Sequence, residues 1–121
     1  MSLSRVVMRL ARNPGTEFAD GDDHRGYTII APLLEDGRID EKALGRHKAK
    51  VRRFAPDEDA REGQLGRHGQ AYVIEYGEEE GAEPLYRVGD HRFALGEYVS
   101  ITDDEGRLLT YKVTEVTPVA D

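Results

Sequence analysis

Turn-forming residues cut this chain roughly every 8–12 positions, and that spacing constrains the fold more than any other feature. Asn13-Pro14-Gly15, the polar stretch 16–26, Asp36-Gly37, Gly45, the run Pro56 to Asp59, His68-Gly69, Gly77 to Glu83, Gly89-Asp90, Gly96 and Asp103 to Gly106 each interrupt the apolar pattern. The pieces between them have the length of strands, and several alternate apolar with polar residues, as half-buried strands do.

The first piece shows how the choice is made. From Leu3 to Arg12, one alternating set holds Leu3, Arg5, Val7, Arg9 and Ala11, and the other holds Ser4, Val6, Met8, Leu10 and Arg12. Val6, Val7 and Leu10 also fit a helical stripe, but no N-cap precedes them and adjacent β-branched valines favour a strand. A polar loop is expected over 16–26, then a strand from Tyr27 to Leu34 whose end Pro32 places at an edge or a bulge. One short helix is expected near 40–48, capped by the Asp40 carboxylate on the backbone N–H of Lys42 or Ala43. Ile39 and Leu44 have the spacing of a hydrophobic staple, and Gly45 limits the helix to about two turns.

From Ala49 to Phe54 the basic residues suggest an edge strand, with Ala49, Val51 and Arg53 on one side and Lys50, Arg52 and Phe54 on the other. Further strands are expected at Gln64 to Arg67, Gln70 to Tyr76, Leu85 to Val88, Arg92 to Leu95, Tyr98 to Ile101 and Leu108 to Thr117. Gly77 to Glu83 is too acidic and glycine-rich for core and reads as an exposed connection. Together these predict a mainly-β, single-domain fold over 1–121: a small barrel or sandwich of seven or eight short antiparallel strands with one short helix. The stretch Phe93-Ala-Leu-Gly-Glu-Tyr-Val-Ser-Ile resembles the entry strand of small SH3-like barrels, in which an apolar-Gly-acidic corner leads into a buried strand. That resemblance implies a barrel and carries no function.

Composition limits what such a fold can hold. Leu, Ile, Val and Phe make up 27 of 121 residues, close to the floor of roughly 20 % below which chains tend to disorder. The expected core is therefore thin. No run approaches the roughly 18 apolar residues of a membrane helix, and no signal peptide is expected, which suggests a cytoplasmic protein. The chain has no cysteine, which excludes disulfides, thiolate metal ligands and a cysteine nucleophile. Arginine outnumbers lysine 13 to 4, the bias of a G- and C-rich genome, and suggests a bacterial source.

The net charge of −7 is unevenly placed. Residues 1–60 carry 11 basic against 11 acidic residues, and residues 61–121 carry 6 against 13. Arg46, Lys48, Lys50, Arg52 and Arg53 form a basic run without an acid, while Glu75, Glu78, Glu79, Glu80 and Glu83 form an acidic one. Such asymmetry marks a binding face or, more plainly, two solvated surfaces facing each other. On a strand, Lys48, Lys50 and Arg52 share a side at about 6.8 Å spacing, close to the roughly 7 Å between phosphates of a single nucleic-acid strand. Only Phe54 is near enough to stack a base, so an anionic protein suits the run better than nucleic acid.

Catalytic motifs are missing. Ser2, Ser4 and Ser100 are the only serines, none in a G-x-S-x-G elbow, and no glycine-rich phosphate loop occurs. The best metal candidates are Asp22, Asp23, His24, Asp90 and His91, carboxylates and imidazoles on loops expected at 20–26 and 89–92, a donor set suited to zinc, iron or manganese. No two histidines share a strand face or helix turn, and the Asp20-x-Asp22-x-His24 run lacks the glycine and glutamate of a calcium loop. Short echoes, Gly45-Arg46-His47 with Gly66-Arg67-His68 and Gly21-Asp22-Asp23-His24-Arg25 with Gly89-Asp90-His91-Arg92, are of the length that chance produces. Tyr27, Tyr72, Tyr76, Tyr98 and Tyr111 fall in expected strands and suit cross-strand packing better than a ligand cavity.

The resulting reading is a non-enzymatic binding or accessory module without a cofactor, turning a basic strand at 46–53 toward an anionic partner. Its rival is a metal-dependent enzyme built on Asp22, His24, Asp90 and His91.

Overall fold

The structure is a computed structural model that describes residues 3–45, 49–68, 71–77, 81–84, 92–103 and 106–119, with the backbone alone at 67–68, 71, 77 and 81–84. Among the described residues eight strands form one antiparallel sheet: β1 (Leu3–Leu10), β2 (Asp22–Pro32), β3 (Lys50–Ala55), β4 (Glu58–His68), β5 (Ala71–Gly77), β6 (Gly81–Pro84), β7 (Tyr98–Thr102) and β8 (Leu108–Val119). Their order is β6-β5-β4-β3-β2-β1-β8-β7. The sheet curls into a half-barrel, so the mainly-β expectation holds and one coiled sheet takes the place of two stacked ones.

Alternation puts one side of every long strand inside the curl. Val6, Met8, Tyr27, Ile29, Val51, Leu65, Ile74, Val99, Ile101 and Val113 are all buried and belong to one cluster. Tyr27 and Tyr111 meet edge to face with ring centres 5.1 Å apart, and Tyr72 and Tyr76 are buried in the same core. These four tyrosines are packing residues, while Tyr98 stands 56 % exposed on β7.

The ends of the curl are held by polar contacts. Asn13, buried just past β1, donates from Nδ2 to the carbonyls of Ala11 (2.8 Å) and Thr110 (3.1 Å) and accepts from the Thr110 N–H (2.8 Å). Its amide thus continues the β1–β8 ladder after Pro14 has ended the strand. Nearby, the buried Asp103 accepts from the Arg107 backbone N–H and Nε, while Arg107 also reaches Glu17 and stands with Arg25 near the Phe18 ring. At the opposite end lies α1 (Glu41–Leu44), one turn long, with the Asp40 carboxylate accepting from the Ala43 N–H at 3.2 Å. Ile39 is buried and Leu44 packs on the core, as a staple requires. The helix is shorter than the expected span of 40–48, whose residues 46–48 lie outside the described ones.

Several local expectations are corrected. Residues 22–26, expected in a loop, open β2, because Leu10 pairs with Asp22 and Arg9 with Gly26 across a bulge. The basic strand β3 is interior, between β2 and β4; its inward side chain Val51 supplies the apolar area that an edge strand does not need. Gly81–Pro84, expected in a connection, pairs with β5 as β6. Arg92 to Leu95, expected as a strand, is irregular: Phe93 is buried, its N–H donates to the Gly37 carbonyl, and Gly96 turns the chain at φ +85°. The turn at Gly96 does lead into β7, as the corner motif implied. The expected strand 85–88 and the Gly89-Asp90 turn lie outside the described residues.

Candidate functional site

The strand side facing away from the core carries the site. Hydrogen-bonded register places Arg5 beside Ile30, Ile30 beside Lys50, Lys50 beside Gln64 and Gln64 beside Glu75, one continuous row across β1 to β5. The adjacent row runs Val7, Thr28, Arg52 and Glu62. Both rows border an open depression of about 920 Å³, within the range of roughly 300–1,000 Å³ that ligand sites occupy.

Its chemistry follows from the alternation of β3. Val51 points into the core, so Lys50 and Arg52 must point outward, about 6.8 Å apart along the strand. Both are exposed. Arg5 is also exposed and stands two strands away. None of these three cations forms an ion pair within 4.0 Å of a described acid. Ile30 and Thr28, both half-buried, form a less polar floor between them.

The other end of the depression is acidic. Glu62 and Glu75 are exposed on β4 and β5. A Cβ on Gly66 would fall 2.8 Å from the Glu75 Cδ, so the Glu75 side chain lies across the bare backbone of this glycine. Positive charge therefore collects over β1–β3 and negative charge over β4–β5, on one face of a protein whose net charge is −7.

The basic run seen in the sequence is split by this geometry. Lys50 and Arg52 come together. Arg53 lies on the opposite side, in register with Tyr27 and Arg61 and half-buried. Arg46 and Lys48 lie outside the described residues. Arg5 was missed because only the sheet order brings β1 within two strands of β3; its alternation with Arg9 in one set of β1 was the available signal.

For the rival site, Asp22 and His24 lie at the start of β2, whereas Asp90 and His91 fall outside the described residues. The two Asp22 oxygens accept from the His24 backbone N–H at 2.9 Å and from Arg25 Nε at 3.1 Å. That is an Asx turn closed by an ion pair, with the His24 side chain exposed. Among the described residues no three His, Asp or Glu side chains gather as metal ligands would. No described helix is long and apolar enough to cross a membrane. Comparison of the chain with known protein families, characterised proteins and solved structures finds no match.

Proposed function

We propose that this protein is a binding module that holds an anionic protein segment on the outer face of β1–β3. The supporting observation is the pair Lys50 and Arg52, exposed on an interior strand over a depression and without an acidic partner among the described residues. Lysine on an edge strand guards against edge-to-edge pairing, a role that an interior strand does not need. Here the two share a side, and Arg5 adds a third positive group about 9.6 Å across the sheet from Lys50. The anionic partner gains from all three, because none of them forms an ion pair with a described acid that binding would have to break.

Retention on polyglutamate resin at about 0.1 M salt tests this, where the Debye length is about 10 Å and the overall charge is largely screened. The protein is expected to be retained, and a Lys50→Glu, Arg52→Glu double variant to flow through. Absence of retention, retention unaffected by the double variant, or a clear preference for a single-stranded oligonucleotide resin each overturns the proposal.

A further inference from the structure

The acidic end of the depression limits what the cations can hold. A uniformly acidic segment lying along the row would place its far carboxylates against Glu62 and Glu75. Four strand spacings separate Arg5 from Glu75, about 19 Å, a length that six extended residues cover. A segment held over the full row therefore meets positive charge for about its first half and negative charge for the rest.

We infer that the depression takes an extended peptide of mixed charge, its acidic half over β1–β3 and its basic half over β4–β5. The inference rests on the binding role proposed above and specifies the partner. Three features converge on it. The register gives one uninterrupted row from Arg5 through Lys50 to Glu75. Glu62 stands beside Arg52 in that register, yet the two form no ion pair within 4.0 Å, so each is able to meet a ligand charge. Ile30, between Arg5 and Lys50, offers a half-buried apolar contact to a residue between the ligand's acids. Opposite charges at the two ends also fix the direction in which the segment lies, which a single-sign patch does not do.

Two fluorescent peptides of about nine residues distinguish the possibilities. The first carries two glutamates and, about four positions on, two lysines. The second replaces both lysines with serine. Anisotropy at about 0.1 M salt is expected to show the mixed peptide binding about 3–10-fold tighter, as two added exposed ion pairs allow. Glu62→Gln with Glu75→Gln is expected to remove that preference while leaving the acidic peptide's affinity intact or improved. Glu35→Gln with Glu97→Gln, which changes net charge equally at two exposed loop positions, is expected to keep the preference, and far-UV circular dichroism checks that each variant folds.

Equal binding of the two peptides to the unaltered protein refutes the mixed-charge inference and leaves the anionic reading standing. A preference that survives Glu62→Gln with Glu75→Gln, or that Glu35→Gln with Glu97→Gln removes, also refutes it. Failure of both peptides to bind, or binding indifferent to Lys50→Glu with Arg52→Glu, refutes the two together.

Discussion

Replacing Gly26 with alanine should damage this protein far more than replacing Gly66, although both glycines lie in strands. A Cβ on Gly26 would sit 2.9 Å from the Met8 carbonyl carbon, closer still to its oxygen, and 3.0 Å from Phe54 Cζ. Carbon contacts settle near 3.5–4.0 Å, so β1 and β2 must separate by about 1 Å at this point. Such a displacement stretches about two ladder hydrogen bonds, each contributing about 1 kcal/mol. Overpacking against Met8 and Phe54 adds about 1–3 kcal/mol, and the stiffer unfolded chain returns about 0.4–1 kcal/mol. The net loss is about 2–4 kcal/mol, a large part of the 5–15 kcal/mol by which such domains are stable. Gly66→Ala meets only the end of the flexible Glu75 side chain, which can rotate away, so its cost should stay below about 1 kcal/mol. Urea unfolding followed by circular dichroism, with the denaturant slope compared between variants, measures both. A Gly26→Ala loss below about 1 kcal/mol at unchanged slope would refute the close approach of β1 and β2.

Other consequences are as direct. Asn13→Ala removes three hydrogen bonds at a buried site and should cost about 2–3 kcal/mol in the same assay; Asn13→Asp keeps only the acceptor toward Thr110 and should also destabilise. The Arg38 backbone N–H holds the Asp36 carboxyl below the ordinary aspartate range against the opposing effect of desolvation, with smaller lowering contributions from the Arg38 side chain and the Arg92 charge. A depressed folded value means that its stabilisation is present above the ordinary aspartate range and is lost as pH falls through the folded value. Arg38→Ala should therefore leave part of the depression in a carboxyl NMR titration, because the backbone donor remains. Protein purified without chelator should contain less than one equivalent of metal, with no change on His24→Ala, because both oxygens of Asp22 are already hydrogen-bonded; stoichiometric metal lost with that substitution would revive the carboxylate-histidine site.

The parts that were legible in the sequence depend on local chemistry. The Asp40 cap, the Ile39–Leu44 staple, the alternation of β1 and the outward pairing of Lys50 with Arg52 all follow from residues a few positions apart. What was not legible depends on which strands become neighbours. Asp22 to Arg25 is polar enough for a loop and becomes strand because Leu10 and Arg9 offer a ladder to pair with. Gly81–Pro84 joins the sheet for the same reason, with β5 as its template. The basic run suggested an edge, but β2 and β4 both pair with it, and its cations lie on the outer face of an interior strand. Two of the five charged residues of the candidate site were therefore visible on β3, and its completion by Arg5, Glu62 and Glu75 required the sheet order.

That order also determines how binding should respond to salt. At about 0.01 M the Debye length is about 30 Å, larger than the radius of gyration of about 14 Å expected for a domain of this size. An approaching acidic peptide then senses the whole charge of −7 and is repelled, whatever lies on one face. At about 0.15 M the length falls to about 8 Å, comparable with the roughly 6.8 Å between Lys50 and Arg52, so the local cations outweigh the distant acids. At about 1 M even these contacts are screened. Affinity for the acidic peptide should thus pass through a maximum at intermediate salt, whereas the neutral mixed-charge peptide, free of the long-range repulsion, should weaken steadily from the lowest salt upward. Anisotropy titrations across this range read both curves. A monotonic fall for the acidic peptide would mean that attraction dominates at every distance, contradicting a small basic patch on an acidic molecule.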